Sequence, residues 1–239
     1  MRAVAIASPV IALLFACGPA GAENPVRDAG GFPPPDRPIA EIVSPIWASE
    51  AERDAARETE QVFAAAGVKA GQTVADIGAG SGYYVVRLSP VVGPAGRVYA
   101  EDITPNYLAG LDARVKALKL SNVTLVQGKP DDPKLPKRAI DTAFLIHMYH
   151  EIEQPYGLLH RLAASMKPGG RVVITDADRR PERHGTPPAL LTCELEAVGY
   201  RQLSTKVLDG GVGYLAIFEA PAANKLPAPQ AIIPCRLAR

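Results

Sequence analysis

The sequence predicts an α/β fold: a doubly wound sheet of seven strands, mostly parallel with an antiparallel final strand, covered by helices. Short apolar runs at 73–77, 97–103, 123–126, 141–146 and 171–176 alternate with segments of helical period, the pattern of strand–helix–strand crossovers. Asp209-Gly210-Gly211 joins the last two runs, 201–208 and 213–219, and suits a tight reversal that makes them antiparallel. The loop Gly78-x-Gly80-x-Gly82 closes the first run, where a doubly wound sheet binds its ligands.

The elements follow in order. Residues 1–22 read as a secretory signal peptide: Arg2, an apolar run over 3–16, then Ala20-Gly21-Ala22, with cleavage after Ala22. The run is too short to span a bilayer comfortably. Leu14-Phe15-Ala16-Cys17 also resembles a lipobox, and a membrane contact is expected only if Cys17 is lipidated. The implied location is periplasmic or secreted. Residues 23–48, centred on Pro33-Pro34-Pro35, read as an extended arm rather than a packed element. Residues 49–220 form the domain, and 221–239 a loose proline-rich tail.

Within the domain, Ser49-Glu50-Ala51-Glu52 has capping-box spacing. Ala55, Thr59, Val62, Phe63 and Ala66 recur at helical intervals up to Gly67, so one helix is expected over 50–66. Further helices are expected over 83–92, over 104–118 with Pro105 at the first position, over 155–166 and over 188–198. Cys193 and Cys235 remain once the signal is removed. In an oxidising compartment they are either a disulfide or two separate thiols.

Composition excludes little. The chain has 239 residues, 47% hydrophobic and 21% charged, as in an ordinary globular protein. A formal net charge of +1 supplies no global basic field, so no nucleic-acid partner is expected.

The chemistry gathers at strand ends. The spacing Gly-x-Gly-x-Gly differs from the Gly-x-Gly-x-x-Gly of dinucleotide binders. Asp76 ends the first strand just before the glycines, where a carboxylate would repel a pyrophosphate and attract an ammonium group. Glu101-Asp102 ends the second strand, where an acid grips ribose hydroxyls. Together they describe a cofactor with a cationic amino-acid end and a ribose but no phosphates.

The stretch Val74-Ala75-Asp76-Ile77-Gly78-Ala79-Gly80-Ser81-Gly82-Tyr83-Tyr84 resembles motif I of class I S-adenosylmethionine-dependent methyltransferases. Gly96-Arg97-Val98-Tyr99-Ala100-Glu101-Asp102 is similar to their second-strand motif. Met166-Lys167-Pro168-Gly169-Gly170-Arg171-Val172 is similar to the segment before their fifth strand. The resemblance implies a Rossmann-like fold and S-adenosylmethionine as cofactor. It implies methyl transfer to a small-molecule oxygen, thiol or carbon acceptor, or else a non-catalytic binding or scaffold protein that retains the fold.

Carried over by position, it places Asp76, Gly78, Ala79, Gly80 and Gly82 around the methionine moiety and Glu101 and Asp102 on the ribose. Lys129, Pro130 and Asp131 fall near the adenine, although many members have an acid where Lys129 stands. His147 faces the sulfonium. The segment His147-Met148-Tyr149-His150-Glu151 lacks the Asn-Pro-Pro-Tyr of base and amide methylating members, which argues against such acceptors; His150 is the expected general base. His147, His150 and Glu151 make an incomplete metal set, and His160 and His184 are remote in sequence, so no metal site is expected. Acceptor selection is expected from the helix over 50–66, the arm with Trp47, and the basic loop 178–188 with Arg179, Arg180, Arg183 and His184.

Overall fold

The computed structural model describes residues 26–42 and 49–237; the signal-like segment, Cys17 and Trp47 lie outside the described residues. The elements are α1 (Glu50–Ala55), α2 (Glu58–Ala66), β1 (Thr73–Ile77), α3 (Tyr83–Val92), β2 (Arg97–Asp102), α4 (Pro105–Ala117) and β3 (Val123–Gln127). They continue with β4 (Ile140–Ile146), α5 (Pro155–Ser165), β5 (Met166–Asp176), α6 (Pro188–Ala197), β6 (Arg201–Leu208) and β7 (Gly213–Glu219).

The strands form one seven-stranded sheet in the order β3-β2-β1-β4-β5-β7-β6. Pairings from β3 to β5 are parallel, and β7 runs antiparallel to both β5 and β6, as the sequence predicts. Strand order reverses between β1 and β4, which puts a ligand crevice beyond their C-terminal ends.

Both faces of the sheet are buried, and the side-chain period of two sorts each strand between them. Phe144 of β4 packs with Val62, Tyr84, Leu88 and Leu111 on the α2–α3–α4 side. Its neighbours Ala143 and Leu145 pack with Leu159, Leu162, Leu191 and Leu195 on the α5–α6 side.

Three expectations are corrected. The helix over 50–66 is two helices, because Arg57 adopts a left-handed conformation (φ 52°, ψ 37°) between them. The break turns Glu58 inward to a 2%-exposed position, where it accepts from the Tyr84 hydroxyl at 2.9 Å and pairs with Arg53. The capping box at Ser49 and Glu52 is present.

The second correction concerns the arm, whose described part is packed. Phe32 is buried in the α5–α6 core, and the Arg37 side chain is wholly enclosed, its Nε 2.9 Å from Glu194 Oε1. The third concerns the tail, which is pinned rather than loose. Cys193 and Cys235 form a disulfide, Ile232 is buried, and the Cys235 N–H donates to the Tyr156 hydroxyl at 2.7 Å.

Arm and tail also hold each other. Arg27 Nη1 donates to Gly31 O and Pro229 O, its Nη2 donates to Ile232 O, and Arg236 pairs with Asp36. Proline-rich composition signals extended backbone, and extended backbone packs well when partners from distant sequence cover it.

Candidate functional site

The C-terminal ends of β1, β2 and β4 open into a cleft of about 1140 Å³, open mouth included. Its wall includes Asp76, Gly78, Ala79, Gly80, Glu101, Asp102, Lys129, Pro130 and His147, nine of the residues expected there.

The glycine loop is braced by the second strand. Ala79 N–H donates to the Glu101 carbonyl at 2.8 Å, and Gly80 N–H donates to Asp102 Oδ2 at 2.9 Å. Asp102 Oδ1 accepts from Thr104 N–H at 2.8 Å. Asp102 thus has one backbone donor on each oxygen, and a carboxylate keeps acceptor capacity beyond that for ribose hydroxyls. Gly82 lies outside the lining. It caps α3 at φ 85°, where a side chain would be strained and would meet Leu111.

Three acids crowd this end of the sheet. Burial is the main force raising the Asp76 carboxyl to about 7; the nearby Arg53 opposes it and Asp102 adds to it. Burial likewise lifts Glu101 to about 8, with Asp102 adding to the shift and the Gly78 N–H opposing it. A cationic ligand beside these groups stabilises their ionised forms. The acids and glycines therefore fit a ligand with an ammonium or sulfonium charge.

On the far side, α1 and α2 form a lid the sequence reading did not assign to the cofactor end. Arg53 lies 3.9 Å above the Tyr83 ring, and both line the cleft with Tyr84. Burial pushes Glu58 up, but hydrogen bonds from His147 and Arg53 outweigh it and hold the carboxyl at about 2. His147 itself has a left-handed backbone (φ 55°), and its Nε2 sits 3.5 Å from Glu58 Oε1. An Arg and a Glu five residues apart on a surface helix give no sequence signal of such burial; the left-handed Arg57 between them creates it.

Two expected residues sit elsewhere. Asp131 is outside the cleft lining; Arg161 pairs with its carboxylate at 2.8 Å and donates to its carbonyl. His150 is buried and outside the lining, whereas its neighbours Met148, Glu151 and Ile152 are in it. The His150 Nδ1 lies 3.0 and 3.1 Å from the two oxygens of Asp176, a fully buried acid at the end of β5. The remoteness of His184 is also corrected: its ring centroid is 5.6 Å from that of His150. The turn Pro181–Arg183 folds the loop back, with the His184 N–H donating to the Pro181 carbonyl.

Comparison with known proteins places this geometry. Residues 74–170 match the family model described as a methyltransferase domain. The chain is similar to a demethylmenaquinone methyltransferase of Geobacillus sp. (strain WCH70), with 27% identity over 112 residues, 47% of this chain and 48% of the relative. It is similar to a ubiquinone/menaquinone biosynthesis C-methyltransferase of Pseudomonas fluorescens (strain Pf0-1), with 29% identity over 46% of this chain and 43% of the relative. The chain spans about half the length of the curated relatives it matches. Among solved structures, a SAM-dependent methyltransferase from Aquifex aeolicus shares 27% identity at a TM-score of 0.62, covering 67% of this chain and 87% of that one. These findings support a class I methyltransferase domain with a Rossmann-like sheet, and S-adenosylmethionine is its cofactor.

The shifted acids predict a pH dependence. Both folded values lie above the unfolded carboxyl range, so the stability they contribute is full below about pH 4 and is lost as pH rises through about 7 and 8. Without cofactor, the melting temperature should fall between about pH 5 and 9. Saturating S-adenosylmethionine should flatten that fall. Differential scanning fluorimetry across the range checks both.

Proposed function

We propose that this protein is an S-adenosylmethionine-dependent methyltransferase acting on a small molecule with an oxygen, thiol or carbon acceptor. The carrying observation is the convergence of Asp76, Glu101, Asp102 and the glycine loop on one cleft that His147, Met148 and Glu151 also wall. The cofactor, when bound, supplies an already activated methyl group, so the protein's task is alignment and exclusion of water. Asp76 faces the amino-acid end, Glu101 and Asp102 the ribose, and Lys129 and Pro130 the base. The acceptor enters between the lid and the β4 turn, where the relatives' quinone-type substrates are one model for its size.

His150 enters this reading as a buried imidazole behind that wall, beside Glu151. With Nδ1 anchored on Asp176, its Nε2 is directed to the side of Glu151 Oε1, 3.9 Å away. An acceptor hydroxyl or thiol at Glu151 would have this nitrogen within one bridging group.

Export belongs to the same proposal. The Cys193–Cys235 disulfide is of a kind that persists in oxidising compartments, in keeping with the signal-like 1–22 segment. N-terminal sequencing of the protein from fractionated cells should read from residue 23; an intact Met1 in the cytosol would reject it.

Calorimetric titration with S-adenosylmethionine is the direct test of the cofactor site. Asp102→Ala should weaken binding by about 1–3 kcal/mol, roughly 5- to 150-fold, through lost charge-assisted hydrogen bonds and a loosened Gly80. An unchanged dissociation constant would remove Asp102 from the site. Methyl transfer to quinol, catechol and thiol acceptors, followed by mass, then tests the acceptor class.

A further inference from the structure

We propose that His150, Glu151 and His184 form a divalent-metal site of the zinc type at the acceptor wall of the cleft. One donor atom from each of these residues lies within 4.8 Å of the others. Two histidines and one carboxylate are a complete protein ligand set for a zinc ion that keeps a fourth position open.

The surroundings are those of a ligand set. Metal-binding imidazoles hand their other N–H to a carboxylate, which fixes the tautomer and aims the lone pair. His150 does this through Nδ1 to Asp176. Asp176 is in turn held by the Thr186 hydroxyl at 2.7 Å and the Ala177 N–H at 2.8 Å. His150 Nε2 then stands 3.9 Å from Glu151 Oε1, too far for a hydrogen bond. Two donors on one zinc ion, each about 2.0–2.1 Å away, are at most about 4.2 Å apart, so a shared ion spans that gap. The Nδ1 of His184 is buried with no hydrogen-bond partner, and a buried imidazole nitrogen in that state carries a cost that a metal removes.

Charge also balances. Glu151 and Asp176 supply two negative charges against the ion's two positive ones. Tetrahedral donors lie roughly 3.3 Å apart, so on metal binding the three residues close by up to about 1.5 Å, with the exposed stretch at Glu182 and Arg183 beside His184 free to follow. Asp176 and His184 lie outside the segment matched by the methyltransferase-domain model. A buried His–Asp pair beside an unrelated loop leaves the His184 nitrogen without an explanation.

For the acceptor, this deepens the proposed function and rests on it, with the metal taking over the activation of the acceptor from His150, whose ligating Nε2 is no longer a base. Glu151 belongs both to the cluster and to the cleft wall. A hydroxyl or thiol reaching the open position would lose its proton to solvent, the O–H or S–H electron pair staying on the metal-bound atom. The acceptors favoured are therefore oxygen and sulfur acids rather than carbon.

The test uses tag-free, full-length protein stripped with a chelator and titrated with zinc chloride by calorimetry, then with cobalt(II) by visible absorption. One zinc per chain is expected, with the intense visible bands of low-coordinate cobalt. His184→Ala should lose at least tenfold in zinc affinity and lose the cobalt bands. Asp176→Asn, which leaves all three ligands in place, should lose about 10- to 100-fold. S-adenosylmethionine titration of the same preparations should be unchanged in His184→Ala, which shows an intact fold. Zinc affinity unaltered by both His184→Ala and Glu151→Gln, or no stoichiometric binding to the parent, would overturn the site. Absence of cofactor binding with zinc binding retained would overturn the methyltransferase reading alone.

Discussion

Arg37→Ala is expected to destabilise the protein by about 3–5 kcal/mol, the cost of leaving a buried partner charge without compensation. Arg37 and Glu194 have no exposed side-chain surface, and their contact is 2.9 Å. Burial raises the Glu194 carboxyl and Arg37 is the main force opposing it, so the variant leaves an acid that must protonate or admit water. At about 2–4 °C per kcal/mol for a chain of this size, the melting temperature falls by roughly 6–20 °C.

The guanidinium does more than pair. It donates to the carbonyls of Tyr149 and His150 at 3.3 and 3.4 Å and lies 5.5 Å from the Tyr149 ring centroid. The Ala40 N–H adds a bond to the same His150 carbonyl. The arm therefore holds the turn that presents His150 and Glu151, and Arg37→Ala should impair acceptor-side function before cofactor binding. The double variant Arg37→Met, Glu194→Leu should recover most of the stability, because an apolar pair of similar size removes both charges from the core. Urea unfolding of the three proteins measures this. If the double variant is as unstable as the single, the loss is one of packing and not of an orphaned charge.

Removing the disulfide is the second large effect. The bond closes a loop spanning 42 residues, and chain-entropy bookkeeping puts its contribution at about 4 kcal/mol. The Cys193→Ser, Cys235→Ser variant should melt roughly 8–16 °C lower. Reductant should lower the parent to the same point and leave the variant unmoved. A reductant effect of equal size in both would place the loss elsewhere. Freed from α6, the tail also stops presenting the Pro229 and Ile232 carbonyls to Arg27, so arm and tail should become protease-sensitive together.

The sheet and the cofactor end were legible because their signals are local. Strand–helix alternation, an acid followed by spaced glycines, and a second acid at the next strand end all lie within short windows. The strands begin and end close to where the apolar runs do, except that β5 starts at Met166 rather than Arg171, and the cleft gathers nine of the expected residues. What the sequence hid depends on meetings across long separations. Glu194 for Arg37, Asp176 and His184 for His150, and Tyr156 for the Cys235 backbone are 157, 26, 34 and 79 positions apart or closely so, and none has a periodic signature. The arm illustrates the point. Its prolines announce extended chain correctly, but only Glu194 and the tail turn extended chain into packed chain. Asp131 is the opposite case: its sequence neighbour Pro130 lines the cleft, while Arg161 on α5 pairs with the Asp131 carboxylate.

The mutual clasp of arm and tail has a consequence in the order of synthesis. Residues 27–40 leave the ribosome first among the described segments, yet Glu194, Pro229, Ile232 and Arg236 come some two hundred positions later. At about 5–20 residues per second, that interval is roughly 10–40 s. During it β1 to β5 and the cofactor end are already made, while the arm waits unclasped. The turn at His150 and Glu151 thus depends, through Arg37 and the arm, on the latest-made of the described segments and on the oxidation of Cys193 and Cys235.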